Sequence, residues 1–264
     1  MAEGPLTGRV GLVTGGGRGI GRGIALSLAA AGAAVAITYR RDADSAKAVV
    51  EEIVASGGAA TVAQAAMESP GDLERAVGMT RRELGPIDLL VSNAGLASRG
   101  RPVTGTDPGE MERLFQAHVM GVHRLIGGVI GDLRTAARGD VIVISSSEVQ
   151  YNRAGGGPYN AAKSALEAWA LTLAKEEARH GVRVNIVAPG LVATDMGDKL
   201  VRAKLGADSV TDLDSRMPFG RVTRPADVGS LVVALAGPAG DMVSGQRIVI
   251  DGGTDASPTG GSPT

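Results

Sequence analysis

The sequence predicts an α/β fold: a doubly wound parallel sheet of about seven strands with helices on both faces. Three observations predict it. Short β-type runs alternate with helix-length segments along nearly the whole chain. Most of these runs are continuously apolar rather than alternating, as strands covered on both faces are. A glycine-dense loop joins the first strand directly to the first helix.

In order, the strands read as "RVGLVT" (9–14), "AAVAITY" (33–39), "ATVAQA" (60–65), "IDLLVSN" (87–93), "DVIVISS" (140–146), "VRVNIVA" (182–188) and "QRIVI" (246–250). Helical patterns fill the intervals at 19–32, 43–56, 71–84, 107–131 and 158–180. The first of these opens straight out of the glycine loop, and the last begins in an alanine-rich stretch. A helix between successive strands is what parallel pairing requires. No Pro-rich or charged linker interrupts the rhythm, so residues 1–253 read as one domain. The segment 254–264, "TDASPTGGSPT", is polar and rich in Pro and Gly, and reads as a loose tail.

A chain of 264 residues with 44% hydrophobic content can bury a sizeable core. Its 40 glycines are about twice the usual share, but they have no period, which argues against collagen-like and repeat architectures. Net charge is −1 and the basic residues are scattered. With two Phe, three Tyr and one Trp there is little on which bases could stack, so nucleic acid is not expected as a partner. There is no cysteine, which excludes disulfide and thiolate chemistry. "MAEGPLTGR" has no apolar signal core, and no run approaches membrane-spanning length. A cytoplasmic location, no membrane partner and no metal site are therefore expected.

In "VTGGGRGIGRG", Gly15, Gly19 and Gly21 fall in a G-x-x-x-G-x-G spacing, with Arg18 and Ile20 among them. No strict G-x-G-x-x-G can be drawn through the loop. The physics is the same: a turn without Cβ atoms lets backbone amides and a helix N-terminus approach a pyrophosphate. A merely flexible turn would not need this position between a buried strand and a helix. The loop makes the predicted sheet a Rossmann-type one.

The end of the second strand discriminates between cofactors. A carboxylate there would accept hydrogen bonds from a ribose, whereas a cation would accommodate a 2′-phosphate. The chain reads "TYRRDAD", with Arg40 and Arg41 ahead of the first acid, Asp42. Arg18 and Arg40 together favour NADP(H) over NAD(H), while Arg41 reads equally well as solvated surface.

"GPYNAAKSALEAW" places Tyr159 and Lys163 four positions apart. On a helix they turn the same way, about 40° apart and roughly 6 Å along the axis. A phenol titrates near ~10 and is a usable acid at neutral pH. An ammonium within ~4–6 Å would favour its ionised form. An ordinary helix that happens to carry the pair is the alternative.

The glycine loop, "SNAG" (92–95), "YNAAK" (159–163), "PGLVATDM" (189–196) and "DGG" (251–253) occur in an order that resembles the short-chain dehydrogenase/reductase family from residue 9 to about 253. The C-terminal half looks most like its 3-oxoacyl-carrier-protein reductase branch. The resemblance implies that Tyr159 is the proton donor in reduction and acceptor in oxidation. Lys163 would bind the nicotinamide ribose and hold the phenol's pKa down. Ser146, thirteen residues before the tyrosine, would steady the substrate carbonyl. Asn93, Ala94 and Gly95 would line the adenosine side. Pro189, Gly190, Val192 and Thr194 would fix the nicotinamide, Thr194 through its carboxamide. Among the three serines 145–147, strand alternation turns Ser146 opposite to its neighbours, with Ser147 as the fallback.

Two positions depart from the family pattern. His118 stands where the family usually has an asparagine, and Ala66 stands where an aspartate commonly meets the adenine, with Glu68 two residues on. Substrate contacts are expected from 96–107, from 147–158 and from a charged lid at 195–218. Arg99, Arg101, Arg202 and Lys204 could meet an acidic carrier or a CoA-bound tail, or stand simply as solvated charge. By resemblance alone, a homotetramer packed through 107–131, 158–180 and the C-terminal strand is expected. The leading expectation is an NADPH-dependent reductase of a 3-oxoacyl or related small-molecule ketone. Its rivals are an oxidative secondary-alcohol or sugar dehydrogenase and a dinucleotide-binding regulator without turnover.

Overall fold

Strand β1 (Val10–Val13) is buried at every residue, and so are β4 (Leu89–Ser92) and β5 (Gly139–Ile144). Their continuous apolar runs are explained by cover on both faces. In the computed structural model, which describes residues 4–254, they join β2 (Ala34–Tyr39), β3 (Ala60–Gln64), β6 (Val182–Pro189) and β7 (Arg247–Ile250) in one sheet of order β3-β2-β1-β4-β5-β6-β7. Every pairing is parallel. All seven strands lie where the sequence placed them, to within two or three residues at each end. The expected tail at 255–264 lies outside the described residues.

Helices α1 (Gly19–Ala30), α2 (Ala43–Ala55) and α9 (Pro225–Ala236) cover one face, burying Ile24, Leu28, Val49, Ile53, Val228 and Val232 with the odd side of β1 and β2. Helices α3 (Pro70–Glu83), α5 (Gly121–Thr135) and α7 (Gly157–Glu177) cover the other, and α4 (Pro108–Phe115) packs against α7. The α1–α9 crossing is close because both helices carry glycine there. A Cβ on Gly229 would stand 2.2 Å from Ser27 Oγ, and one on Gly23 would stand 2.6 Å from Pro225. Among the described residues no helix is long and apolar enough to cross a membrane.

Three features go beyond the sequence reading or correct it. The single helix expected at 107–131 is interrupted by a π-helical turn at Gln116–Met120 and continues to Thr135. Its wider turn carries His118 to the interior. Gly121 follows, against the backbone of Met67, where a Cβ would lie 2.4 Å from the carbonyl oxygen. The charged stretch at 195–218 folds as α8 (Asp195–Leu205) and a 3-10 turn (Val210–Arg216). Val201, Val210, Leu213 and Val222 give it a small core of its own. A short helix, α6 (Glu148–Tyr151), fills the expected substrate loop after β5.

The sheet order reverses between β1 and β4. Strands to one side of that line are wound one way and those to the other side oppositely, so the loops leaving β1 and β4 diverge and open a crevice at their C-terminal ends. At this edge the glycine loop follows β1, "SNAG" closes β4, "PGLVATDM" leaves the end of β6 and "DGG" follows β7, while "YNAAK" rides on the first turns of α7.

Candidate active site

Gly15 and Gly19 have φ of 67° and 52°, a region that a residue with a Cβ rarely enters. A Cβ on Gly21 would stand 2.2 Å from the Gly15 carbonyl oxygen and 2.5 Å from Asn93 Nδ2. The loop thus turns tightly onto the N-terminus of α1, with no acid in that helix's first turn. Two threonines that the sequence reading did not single out hold it in place. Thr14 Oγ1 accepts from the amides of Asn93 and Ala94, both at 3.0 Å. Thr38 Oγ1 accepts from the Gly15 amide at 3.2 Å. Asn93 Nδ2 donates back to the Thr14 carbonyl at 2.9 Å. The signal for both was a polar residue inside an otherwise apolar strand.

Arg18 is exposed at the start of α1, and Ile20 is partly buried beside it. Asp42, which caps α2, is held below the usual carboxylate range mainly by hydrogen bonds from Ser45, with Arg18 adding to the pull. Arg40, at the end of β2, is ion-paired with Glu68. Ala66 has no side chain to offer a ligand, and its amide is donated to Asp72 at 3.1 Å.

Strand β5 ends at Ile144 and delivers three serines with different surroundings. Ser145 and Ser147 are buried and Ser146 is not. Ser145 Oγ donates to Glu167 Oε1 at 2.5 Å. The Ser147 amide donates to the Pro189 carbonyl at 2.9 Å. The Ser146 hydroxyl interacts with the phenol of Tyr159 and accepts from the Glu148 amide at 3.2 Å. Ser146, Tyr159 and Lys163 are thereby brought together at the crevice.

Burial sets the protonation of this group. It pushes the Tyr159 phenol up to about 12; the Ser146 hydroxyl opposes the rise and the Glu148 carboxylate adds to it. Burial also brings the Lys163 ammonium down to about 8, against the pull of Glu167. Burial thus outweighs the lowering of the phenol's pKa expected from Lys163. Its Nζ lies 5.9 Å from the Tyr159 ring centroid and donates to the Ile144 carbonyl at 2.7 Å. Behind it, Arg247 donates to both Glu167 oxygens, at 3.0 and 2.9 Å, and to the Ser146 carbonyl at 3.0 Å. Neither Glu167 nor Arg247 was singled out from sequence. The signal was a lone acid one turn after the lysine on an alanine-rich helix.

His118 is buried between Leu96 and Tyr159. Its ring meets the tyrosine edge-on, with centroids 5.6 Å apart, and its Nε2 lies 2.9 Å from the Leu96 carbonyl oxygen. A Cβ on Gly95 would stand 2.4 Å from His118 Cε1, so the glycine of "SNAG" makes room for this ring. Burial, and then the nearby Lys163 charge, lower its pKa to about 3, with the Leu96 hydrogen bond opposing. The ring is neutral at physiological pH.

The chain after β6 runs back across the crevice. The Gly190 amide donates to the Ile250 carbonyl at 3.0 Å, Val192 bridges Thr223, and Thr194 Oγ1 caps α8 by accepting from Gly197 at 3.1 Å. Pro189, Gly190, Val192 and Thr194 therefore lie on one rigid turn, with Thr194 facing Gly19, whose Cβ would stand 3.3 Å from Thr194 Cγ2. These residues fit a dinucleotide. Glycine at 15, 19 and 21 keeps side chains out of the cradle where a pyrophosphate would sit, cations stand at the β2 end, and a serine–tyrosine–lysine group stands at the other end. Among the described residues no group of three His, Cys, Asp or Glu could hold a metal ion. Arg99, Arg101 and Arg202 are exposed, and the side chain of Lys204 lies outside the described ones.

Comparison with known proteins agrees with this geometry. A family model described as "Enoyl-(Acyl carrier protein) reductase" matches residues 15–255. A chloroplastic NADPH-dependent aldehyde reductase-like protein of Arabidopsis thaliana is 34% identical over 94% of this chain and 95% of its own length. A 3-oxoacyl-[acyl-carrier-protein] reductase of Synechocystis is 34% identical over 94% of this chain and 97% of its own. A short-chain dehydrogenase of Burkholderia cenocepacia, solved in complex with NADP, superposes with a TM-score of 0.84 at 34% identity, covering 94% of this chain and 98% of that one.

Proposed function

Because the chain belongs to the short-chain dehydrogenase/reductase family of NAD(P)-dependent oxidoreductases, we propose that it reduces a ketone, a 3-oxoacyl or related carbonyl compound, to a secondary alcohol with NADPH. The observation that carries the reading is the convergence of Ser146, Tyr159 and Lys163 beside the crevice of the sheet. The relatives named as reductases of an aldehyde and of a 3-oxoacyl group favour carbonyl reduction, and the arginines at 18 and 40 favour the phosphorylated cofactor.

Each residue has a task set by its surroundings. Gly15, Gly19, Ile20 and Gly21 would carry the pyrophosphate on the α1 N-terminus, and Asn93, Ala94 and Gly95 would line the adenosine side. Pro189, Gly190, Val192 and Thr194 would hold the nicotinamide end. The reduced nicotinamide, when bound, supplies the hydride. Negative charge grows on the carbonyl oxygen as the ketone is reduced, and the hydroxyls of Ser146 and Tyr159 donate to it. With its pKa near 12 the phenol is fully protonated at neutral pH and serves as the acid, giving its Oη proton to the new alcohol. The Lys163 ammonium stabilises the phenolate left behind and would bind the nicotinamide ribose. His118, neutral and packed on the tyrosine ring, keeps that ring in place.

The proposal includes a cytoplasmic homotetramer. The half-exposed Met111, Met120 and Leu171 on α4, the π turn and α7 give a subunit surface for such assembly.

The test is Tyr159→Phe, assayed by loss of reduced-cofactor absorbance with a panel of 3-oxoacyl and simple ketones. Turnover should fall at least about 1,000-fold, the order lost with an essential proton donor, while NADPH binding measured by fluorescence stays within twofold. Unchanged turnover would remove Tyr159 from the chemistry.

A further inference from the structure

Arg40, the cation that a 2′-phosphate would need, already has a carboxylate on it. Its guanidinium is paired with Glu68, with both side chains a third or more exposed. The pair does not rest on two free surface side chains meeting by chance, because the turn that carries Glu68 is fixed at several points. The Ala65 amide donates to the Tyr39 carbonyl at 2.8 Å, tying the turn to β2. Asp72 accepts from the Ala66 amide at 3.1 Å. Met67 is buried against Gly121. Gln64 Nε2 donates to the Arg40 carbonyl at 3.1 Å, fixing the arginine's own backbone to the same strand end. Arg40 and Glu68 both line a cavity of about 470 Å³ that reaches Leu96 beside the "SNAG" loop. Arg41 and Arg113 supply two more cations to its wall, and Glu112 a second acid.

We propose that Glu68 is a specificity-determining residue for the cofactor: by occupying Arg40 it weakens binding of the 2′-phosphorylated dinucleotide and leaves the unphosphorylated one unaffected, so that the chain can use both. The inference rests on the NADPH reading above and deepens it. A 2′-phosphate is close to a dianion at pH 7. To reach the Arg40 fork it must displace a carboxylate that is already there, and it then stands near that carboxylate's charge. NAD(H) brings no such group and leaves the pair intact. The position also explains why Ala66 need not contact the adenine for this edge of the cavity to matter: the discriminating charge is two residues further on.

Dissociation constants of NADP⁺ and NAD⁺, measured by titration calorimetry on the full chain without substrate, test this. Glu68→Gln removes the charge, keeps the side-chain volume and should tighten NADP⁺ binding about 3- to 10-fold, the scale of an exposed ion pair plus a nearby like charge. NAD⁺ should change less than twofold, and the gain should shrink between 50 and 500 mM NaCl as the charges are screened. In the Arg40→Gln background the same substitution should gain at most twofold. If Glu68→Gln leaves NADP⁺ binding unchanged or weakens it while Arg40→Gln still weakens it, Glu68 is a support for the arginine and the inference is overturned, with the NADPH reading intact. If Arg40→Gln itself leaves NADP⁺ binding unchanged, the phosphate does not use this arginine, and both readings of the β2 end fall.

Discussion

Replacing Lys163 by Met should change how stability depends on pH, by an amount that the structure sets. The ammonium is 4% exposed, donates to one backbone carbonyl and has its pKa brought from 10.5 down to about 8. Below pH 8 the group is charged in both the folded and unfolded chain, and the folded state bears the full cost of burying it. Between about 8 and 10.5 the folded amine is neutral while the unfolded one still binds a proton, so stability rises with pH. The difference of about 2.5 units corresponds to about 3 kcal/mol across that window. Methionine has a similar reach and no charge. It leaves the Ile144 carbonyl without its donor, a cost that does not vary with pH. The stability advantage of Lys163→Met over the parent should therefore shrink by about 2–3 kcal/mol between pH 7 and pH 10. Tyr159 acts in the opposite sense above pH 10, where its raised pKa keeps a proton that the unfolded chain has lost, but it is present in both proteins and cancels. Urea unfolding followed by far-UV circular dichroism, at one protein concentration from pH 7 to pH 10, measures the difference. A difference that stays flat over this range would mean that the lysine does not titrate with a lowered pKa, and the charge assigned to it in catalysis would be wrong. The same titration predicts that kcat/KM of the parent falls as pH rises through about 8.

Gly21→Ala should weaken cofactor binding at least about 10-fold, since its Cβ would collide with the Gly15 carbonyl and force the cradle apart, an overpacking cost of about 1–3 kcal/mol; calorimetric titration with NADP⁺ would show it, and an unchanged affinity would remove the cradle from the binding site. Asp140, 2% exposed, takes Arg9, Arg138 and Arg183 at 2.9, 3.0 and 2.7 Å at the opposite end of the sheet. Asp140→Ala should cost about 3–5 kcal/mol by leaving three guanidinium groups without their shared partner, seen as a lower urea midpoint, with no change in kcat per folded molecule. A loss below about 1 kcal/mol would show that the cluster is solvated.

How much of this was legible in the sequence depends on the range of the cause. A strand such as β5 declares itself because both of its faces are buried and the run Val141 to Ile144 is apolar at every position. The Tyr159–Lys163 pair declares itself because helix geometry alone puts the two side chains on one side. The glycines at 15, 19 and 21 are legible for the same local reason, a turn that no Cβ fits. The interruption at Gln116–Met120 was not legible, because it answers to the packing of Gly121 against Met67, a residue some fifty positions earlier in the chain. Likewise nothing near Arg40 in sequence announces Glu68, and nothing near Ser146 announces Arg247. Contacts of this kind join the ends of different strands, which the sheet brings together from places distant in sequence.

The same reasoning shows why the chemical group is so well placed despite its polarity. Three serines in a row look interchangeable, yet each is committed differently at the end of β5: Ser145 to Glu167, Ser147 through its amide to Pro189, and Ser146 toward the phenol. The backbone between them is tied down from opposite sides, by Lys163 on the Ile144 carbonyl and by Arg247 on the Ser146 carbonyl. Tyr159 and Lys163 ride on α7, Arg247 on β7, and Glu167 on α7 links them. The position of the Ser146 hydroxyl relative to the phenol is thus set by two charged side chains, Arg247, ion-paired with Glu167, and Lys163, which feels the charge of Glu167. Buried polar groups are tolerated where each is satisfied by the next, and here that chain of partners leads to the hydroxyls of Ser146 and Tyr159.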